Sequence, residues 1–297
     1  MSKNKIQVLG LGQCSLDYLG KVPLYPPPDI KCEFKGLTIQ GGGPVATALV
    51  ALSRWGISCS FMGVVGDDYF GESIKTALTG EGIDTKGLLV RQGYSSQFAF
   101  IVAEPKIARR TIFWQQPTGK PIQPEKIDES FFTGVNLFHT DGLFTEASIA
   151  AAKMAQKKGI PVMVDAGSMR EGMLELAMHS DYFITSKIFA QALIQKDDFV
   201  GVCHKLASLG PKVVGVTLGE KGYVALSGDQ LIKGPAYEVD AVDTTGCGDV
   251  FHAGVVYGVL SGWKIEKSLR FAAWSAAQVS LHLGGRTGIP KACDFPE

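Results

Sequence analysis

Short, unbroken apolar runs recur along the chain: IQVLGLG from Ile6, CSFMGVVG from Cys59, VNLFHTDG from Val135, VMVDAG from Val162, DYFITS from Asp181 and KVVGVTLG from Lys212. They are continuous instead of alternating, the pattern of strands covered on both faces. Helical spacing falls between them. Val45, Leu49 and Leu52 recur at i, i+4 and i+7, Pro44 suits the first turn of that helix, and Gly56 suits its stop. Buried strands alternating with helices predict a parallel sheet with helices on both sides.

Two segments break the rhythm. YPPPDIKCEFKGLTIQ from Tyr25 and SSQFAFIVAEPKIARRTIFWQQ from Ser95 are richer in aromatic residues, Thr and alternating polar positions, so they read as strands with an exposed face. Distant in sequence yet alike in character, they are expected to pair into one small protruding sheet, spanning roughly residues 18–40 and 94–118, that covers a site and excludes water. The proline cluster Pro26-Pro27-Pro28 is the one linker-like stretch.

Length and composition sharpen this picture. A chain of 297 residues suits one large α/β domain, 1–297, with an appendage. Lys+Arg and Asp+Glu are equal at 29 each, which gives no electrostatic reason to expect nucleic acid or an anionic membrane surface; the expected ligand is a small molecule. Six cysteines (Cys14, Cys32, Cys59, Cys203, Cys247, Cys293) show no CxxC spacing and are expected as reduced thiols of a cytoplasmic protein. Lys3 and Lys5 before an apolar run hint at a signal peptide, but that run meets glycine after about six residues, so a first buried strand is the better reading. No run approaches the roughly 18 apolar residues of a membrane span.

Three glycine-bearing stretches carry candidate chemistry. GLGQCS at Gly10 is half of a dinucleotide fingerprint, but Ser15 stands where the third glycine belongs, so a strand end with a tight turn is preferred. Asp17, just beyond, lies where α/β sheets bind ligands. Gly41-Gly42-Gly43-Pro44 precedes a helix, where glycines let a ligand approach the backbone and unpaired N–H groups face hydroxyls or anions; a plain loop into that helix is the alternative. DTTGCGD, residues 243–249, says most. Gly246, Cys247 and Gly248 can present consecutive amides to one oxyanion at a helix N-terminus. A carboxylate there, Asp249, would repel that anion; it makes sense as the group that takes the proton of a hydroxyl attacking a phosphoryl group. The competing role is a simple helix-stabilising acid.

DTTGCGDVFHAGVVYG resembles the C-terminal signature of the pfkB, or ribokinase-like, carbohydrate kinases, and GGGPVATALVALSRWG with GVVGDDYFGE resembles their N-terminal signature. The resemblance runs over nearly the whole chain in the family's order. It implies a three-layer α/β/α, Rossmann-like ribokinase fold with a mainly parallel sheet and a small β lid, and transfer of the γ-phosphate of ATP, as its Mg2+ complex, to a sugar hydroxyl. It makes Asp249 the base, Gly246, Cys247 and Gly248 the anion hole, and Asp17, Gly41, Gly42 and Gly43 holders of substrate hydroxyls. Thr217, Gly219 and Gly222 in VTLGEKG match the nucleotide loop, and Gly284 and Gly285 the adenine side. Asp243 and Thr245 match positions that bind K+ in some members, and the lid is where some members form homodimers. Arg110 in the lid is a candidate contact to an acidic substrate or, equally, a solvated charge.

The departures bear on substrate. Ala46 replaces a sugar-binding Asn, and Ser186-Lys187-Ile188-Phe189 replaces the NxxE motif that organises magnesium, as in the ketohexokinase branch. Cys247 stands where Ala is usual; at a helix N-terminus its thiol is expected either to be activated or to fill an Ala-sized space. Asp165 and Arg170 are candidates for the nucleotide side, and Trp114 and His139 read as packing. A sugar kinase acting on a ketose, pentose or sugar acid is the expected function. A nucleoside kinase with Phe98, Phe100, Phe113 and Trp114 lining its pocket is the alternative, followed by a non-catalytic sensor.

Overall fold

A computed structural model describes residues 6–107 and 109–296; Lys3 and Lys5 lie outside the described residues. The chain opens with β1 (Val8–Leu11), β2 (Ser15–Lys21) and β3 (Lys35–Gly42), then α1 (Pro44–Arg54), β4 (Cys59–Gly66), α2 (Tyr69–Gly80) and β5 (Asp84–Arg91). A hairpin of β6 (Phe98–Glu104) and β7 (Arg109–Gln115) follows. Strand and helix then alternate through β8 (Leu137–Thr140), α3 (Thr145–Lys157), β9 (Val162–Ala166), α4 (Met173–Met178) and β10 (Tyr182–Ser186) to α5 (Lys187–Ile194), α6 (Phe199–Ala207) and β11 (Val213–Thr217). Two more strands, β12 (Tyr223–Ser227) and β13 (Gln230–Gly234), and two long helices, α7 (Cys247–Leu260) and α8 (Ile265–Ser280), complete it.

The large sheet runs β13-β12-β11-β10-β9-β8-β1-β4-β5. From β11 to β5 the pairings are parallel, while β12 and β13 add an antiparallel edge. Every residue of β1, β8 and β9 is buried, as unbroken apolar runs demand when helices cover both faces. One apolar layer joins α1, α2, α7 and α8 to the sheet, and a second joins α3 to α6 on the other face. Gly254 and Gly258 let α7 and α8 close: a Cβ on either would overlap Ala272 or Ser268 of α8.

β1 lies between β4 and β8, so the chain winds away from β1 in both directions and leaves a crevice beyond the carboxyl ends of β1 and β8. Asp141, just past β8, spans it by accepting the Gln13 N–H at 3.0 Å.

A second sheet, β3-β2-β6-β7, unites the two aberrant segments through the parallel pairing of β2 with β6. It departs from the expected bounds. Its first strand begins at Ser15, and residues 22–34 form a loop, because prolines 26–28 have no N–H to give a ladder. That loop is tied back by the Tyr25 N–H to Glu104, 3.0 Å away. Among the described residues no helix is long and apolar enough to cross a membrane.

Candidate active site

The stretch 243–249 wraps the start of α7. Asp243 is fully buried; its Oδ1 accepts both the N–H and the hydroxyl of Thr245, at 2.9 and 2.8 Å, and its Oδ2 accepts the Gly284 N–H at 2.9 Å. Asp243 and Thr245 therefore serve each other and the Gly284 loop. Gly246, left-handed at φ 77°, caps α7 without any side-chain hydrogen bond, so no capping oxygen takes the first-turn amides. The Cys247 N–H leans on the Thr244 carbonyl at 3.4 Å, and nothing occupies the space where a Gly248 side chain would begin.

Asp249 sits in that first turn, partly open to solvent but crowded by protein. Desolvation, then the nearby Asp165 carboxylate, raises its carboxyl well above the ordinary range; Arg110 and Arg286 oppose this, and Asp17 adds to it.

Asp17 arrives from β2, 7% exposed, its Oδ1 accepting the Ser15 hydroxyl at 2.7 Å; burial raises its carboxyl, with Ser15 and Arg286 opposing. The Cβ positions of the three glycines beside it are already taken by protein atoms. A Cβ on Gly42 would overlap the Asp17 carboxylate, one on Gly41 the Arg286 guanidinium, and one on Gly43 the Gln13 carbonyl, with φ at 97°. Arg286 went unnoticed in the sequence. It is 5% exposed, donates to the Gly42 carbonyl at 3.3 Å, and burial brings its pKa down to about 10 despite Asp17, Glu81 and Asp249. A cation following two glycines in an apolar tail, HLGGRTG, was the available signal.

The remaining candidates divide. Arg110 reaches from β7 to donate to the Thr244 hydroxyl, linking the small sheet to the anion loop. Gly284 and Gly285 pack against Gln40 and Gly246, beside the anion loop. Thr217 ends β11 with its hydroxyl on the Thr185 carbonyl at 3.2 Å; Gly219 and Gly222 form the turn into β12, Gly219 with open space at its Cβ position. Ser186, at the absent NxxE motif, caps α5 by accepting the Phe189 N–H at 3.1 Å. Of the two alternatives for Cys247 the space-filling one is favoured: burial pushes its thiol up to about 12, outweighing Arg110, and the half-buried side chain packs against the core. Trp114 is half-exposed on β7, and His139 is fully buried.

Beneath α7 lies a second polar layer that the sequence hid inside apolar runs. Asp165 at the end of β9 pairs with His252 of α7 at 3.3 Å. Arg170 donates to the Asp141 carbonyl at 3.1 Å and bears on both Asp141 and Asp165. Burial, opposed by the N–H groups of Leu143 and Gln13, raises Asp141 to about 7.

Known proteins match this arrangement over its whole length. The sequence pattern of the pfkB family carbohydrate kinases covers residues 5–292. The chain is 24% identical over 285 residues to an ATP-dependent ribose-1-phosphate kinase of Halopiger xanaduensis, spanning 95% of this chain and 94% of that one. It is 23% identical over 299 residues to a nucleoside kinase of Methanothermobacter thermautotrophicus, spanning 98% and 94%. Its fold superposes on an Arabidopsis thaliana ribokinase complexed with ribose and ATP with a TM-score of 0.83 at 22% identity, covering 97% and 96% of the chains. An E. coli structure in complex with ATP and Mg2+ gives 0.84 at 19% identity, covering 97% of both.

Proposed function

The chain belongs to the pfkB family of carbohydrate kinases, and on that premise we propose that it phosphorylates a hydroxyl of a carbohydrate, a ketose, pentose or sugar acid, at the expense of ATP. The coarser statement holds of the chain as it stands: it is a sugar or nucleoside kinase, a phosphotransferase with an alcohol group as acceptor.

In our reading Asp249 takes the proton of the attacking hydroxyl and aligns its oxygen, while the amides of Gly246, Cys247 and Gly248 meet the charge gathering on the transferred group. Asp17 fixes other substrate hydroxyls, with Gly41 to Gly43 shaping that wall. The open turn at Thr217, Gly219 and Gly222, with Gly284 and Gly285, is proposed for the nucleotide. Mg2+ would enter on the phosphates and offset their charge, as in the E. coli neighbour's complex. The small sheet acts as a lid, with Arg110 closing onto the anion loop. Six unpaired cysteines support a cytoplasmic setting.

The observation that carries this reading is a carboxylate in the first turn of α7, beside amides that no side chain caps, with a second buried carboxylate, Asp17, close enough to raise it. The nucleoside reading is favoured by one feature: half-exposed Trp114 pairs with Ala99, which pairs with Asp17, so its ring lies on the lid face that carries Asp17. Coupled ADP release with Mg-ATP separates the two, using ketoses, aldoses, sugar acids, sulfonated sugars and nucleosides, with Asp249→Asn as the blank. Turnover on a carbohydrate class, absent from the blank, is the expected result; turnover confined to nucleosides replaces it with the second reading.

A further inference from the structure

α7 is an almost wholly apolar helix, and His252 is its one buried imidazole, 3% exposed, one turn beyond Asp249. Its ring meets three elements. Nδ1 lies 2.7 Å from the Gly248 carbonyl oxygen and 3.3 Å from Asp165 Oδ2 at the end of β9. Nε2 lies 3.2 Å from the Ile184 carbonyl oxygen of β10. All three partners are acceptors, so both ring nitrogens are turned to oxygen. A core histidine kept only for bulk would not reach three acceptors on three segments.

The neighbours narrow its role. Facing the ring from β8 is His139, with centroids 6.3 Å apart and planes 23° from parallel; burial, reinforced by His252, pushes His139 down to about 3, so it brings no charge. Facing Asp165 are His252 from α7, Arg170 from the loop after β9, Asp141 from beyond β8 and Asp249 itself. Facing Asp249 are Asp165 from β9, Arg110 from β7, Arg286 from beyond α8 and Asp17 from β2. Asp165 thus touches the imidazole and bears on Asp249, and whatever holds its carboxylate governs how strongly it repels a charge there.

We propose that His252 is a positioning residue for Asp249: it fastens the first turn of α7 to β9 and β10 and holds the Asp165 carboxylate turned toward itself and away from Asp249. The proposal rests on the reading of Asp249 as the proton-accepting group, and assigns this chain a control on that group from behind the helix. Without the imidazole, Asp165 keeps Arg170 but is free to turn toward Asp249, which then holds its proton to higher pH.

The test reads Asp249 directly. Protein carrying 13C-labelled aspartate carboxyls is titrated by NMR as wild type, His252→Val, His252→Gln, Asp165→Asn and the His252→Val/Asp165→Asn double variant, with Asp249→Asn identifying the signal. The Asp249 midpoint is expected to rise by about half a unit or more in His252→Val and to fall in Asp165→Asn. The double variant should follow Asp165→Asn, since no carboxylate then remains to be held. His252→Gln, which can still donate to an acceptor, should recover part of the wild-type value. In turnover, His252→Val should lower kcat about tenfold with KM little changed, and its acid limb should move up with the NMR midpoint.

An unmoved midpoint in His252→Val, or a double variant displaced as far as His252→Val alone, would show that the imidazole only packs. Should His252→Val fail to fold, an unmoved midpoint in Asp165→Asn overturns the proposal by itself. A wild type without turnover on any alcohol would sink the kinase reading while the carboxyl titration still decides this one.

Discussion

Asp249 sets the expected pH behaviour at the scale of single residues. The group works as a carboxylate, and desolvation raises its proton affinity, so the rate should fall as pH drops through a value above the ordinary aspartate range, and not only near pH 4. Arg286 opposes that rise. In Arg286→Met both Asp249 and Asp17 hold protons more tightly, and the acid limb of kcat/KM should move to higher pH; an unmoved limb would show that the guanidinium serves only the Gly42 carbonyl. Gly42→Ala puts a methyl onto the Asp17 carboxylate, and we expect KM for the acceptor to rise about tenfold or more while KM for ATP stays put. Asp249→Asn should retain ATP and lose about 10²–10⁴ in kcat, as removal of a general base does. Cys247→Ala should keep most activity, and thiol reagents at neutral pH should act slowly on the wild type, because the buried thiol stays protonated.

At the scale of elements, α7 and α8 meet over glycine and small residues, with Ser268 and Ala272 fully buried opposite Gly258 and Gly254. Gly254→Val should therefore destabilise by about 1–3 kcal/mol through overpacking, read as a lower denaturant midpoint with unchanged m-value. The core strands were legible because burial on both faces leaves an unbroken apolar run: CSFMGVVG is β4 to the residue, and DYFITS and KVVGVTLG hold β10 and β11. The bounds of α1 followed from its proline and glycine. Less legible were β5 and β13, whose mixed polar and apolar residues suit a sheet margin, and β2, whose start at Ser15 was hidden behind a turn that reads like half of a dinucleotide fingerprint. His252, Asp141 and Arg286 escaped for one reason: each is a charged or polar group paired across more than 60 positions of chain, and local pattern carries no trace of such a pairing.

At the scale of the whole molecule, two sheets and the chain's two ends converge on one crevice. Asp141 braces it from within. Its carboxyl, raised by burial to about 7, binds its proton more tightly folded than unfolded, so its contribution to stability is full below about pH 4 and is lost as pH rises through about 7. Asp141→Asn should remove that part of the slope, visible as a flatter dependence of the melting temperature on pH between about 4 and 7. The proposed lid exposes Ile39, Phe100 and Phe113 on the face turned away from Asp17, and a second copy of the chain is the partner we propose there. Phe113→Glu should lower the mass measured by light scattering to that of a monomer. The glycine triplet has a consequence for anyone who would shorten or rewire this protein. Its emptied side-chain positions are filled by Arg286 from near the C-terminus and Asp17 from near the N-terminus, and the Pro290 carbonyl accepts the Trp55 indole N–H at 2.8 Å. The Phe295 ring beyond Pro290 also packs on Phe271 and Trp274 of α8, so trimming from the C-terminus should be tolerated only beyond Phe295, and a split version should reassemble only if the fragment bearing α8 carries that tail with it.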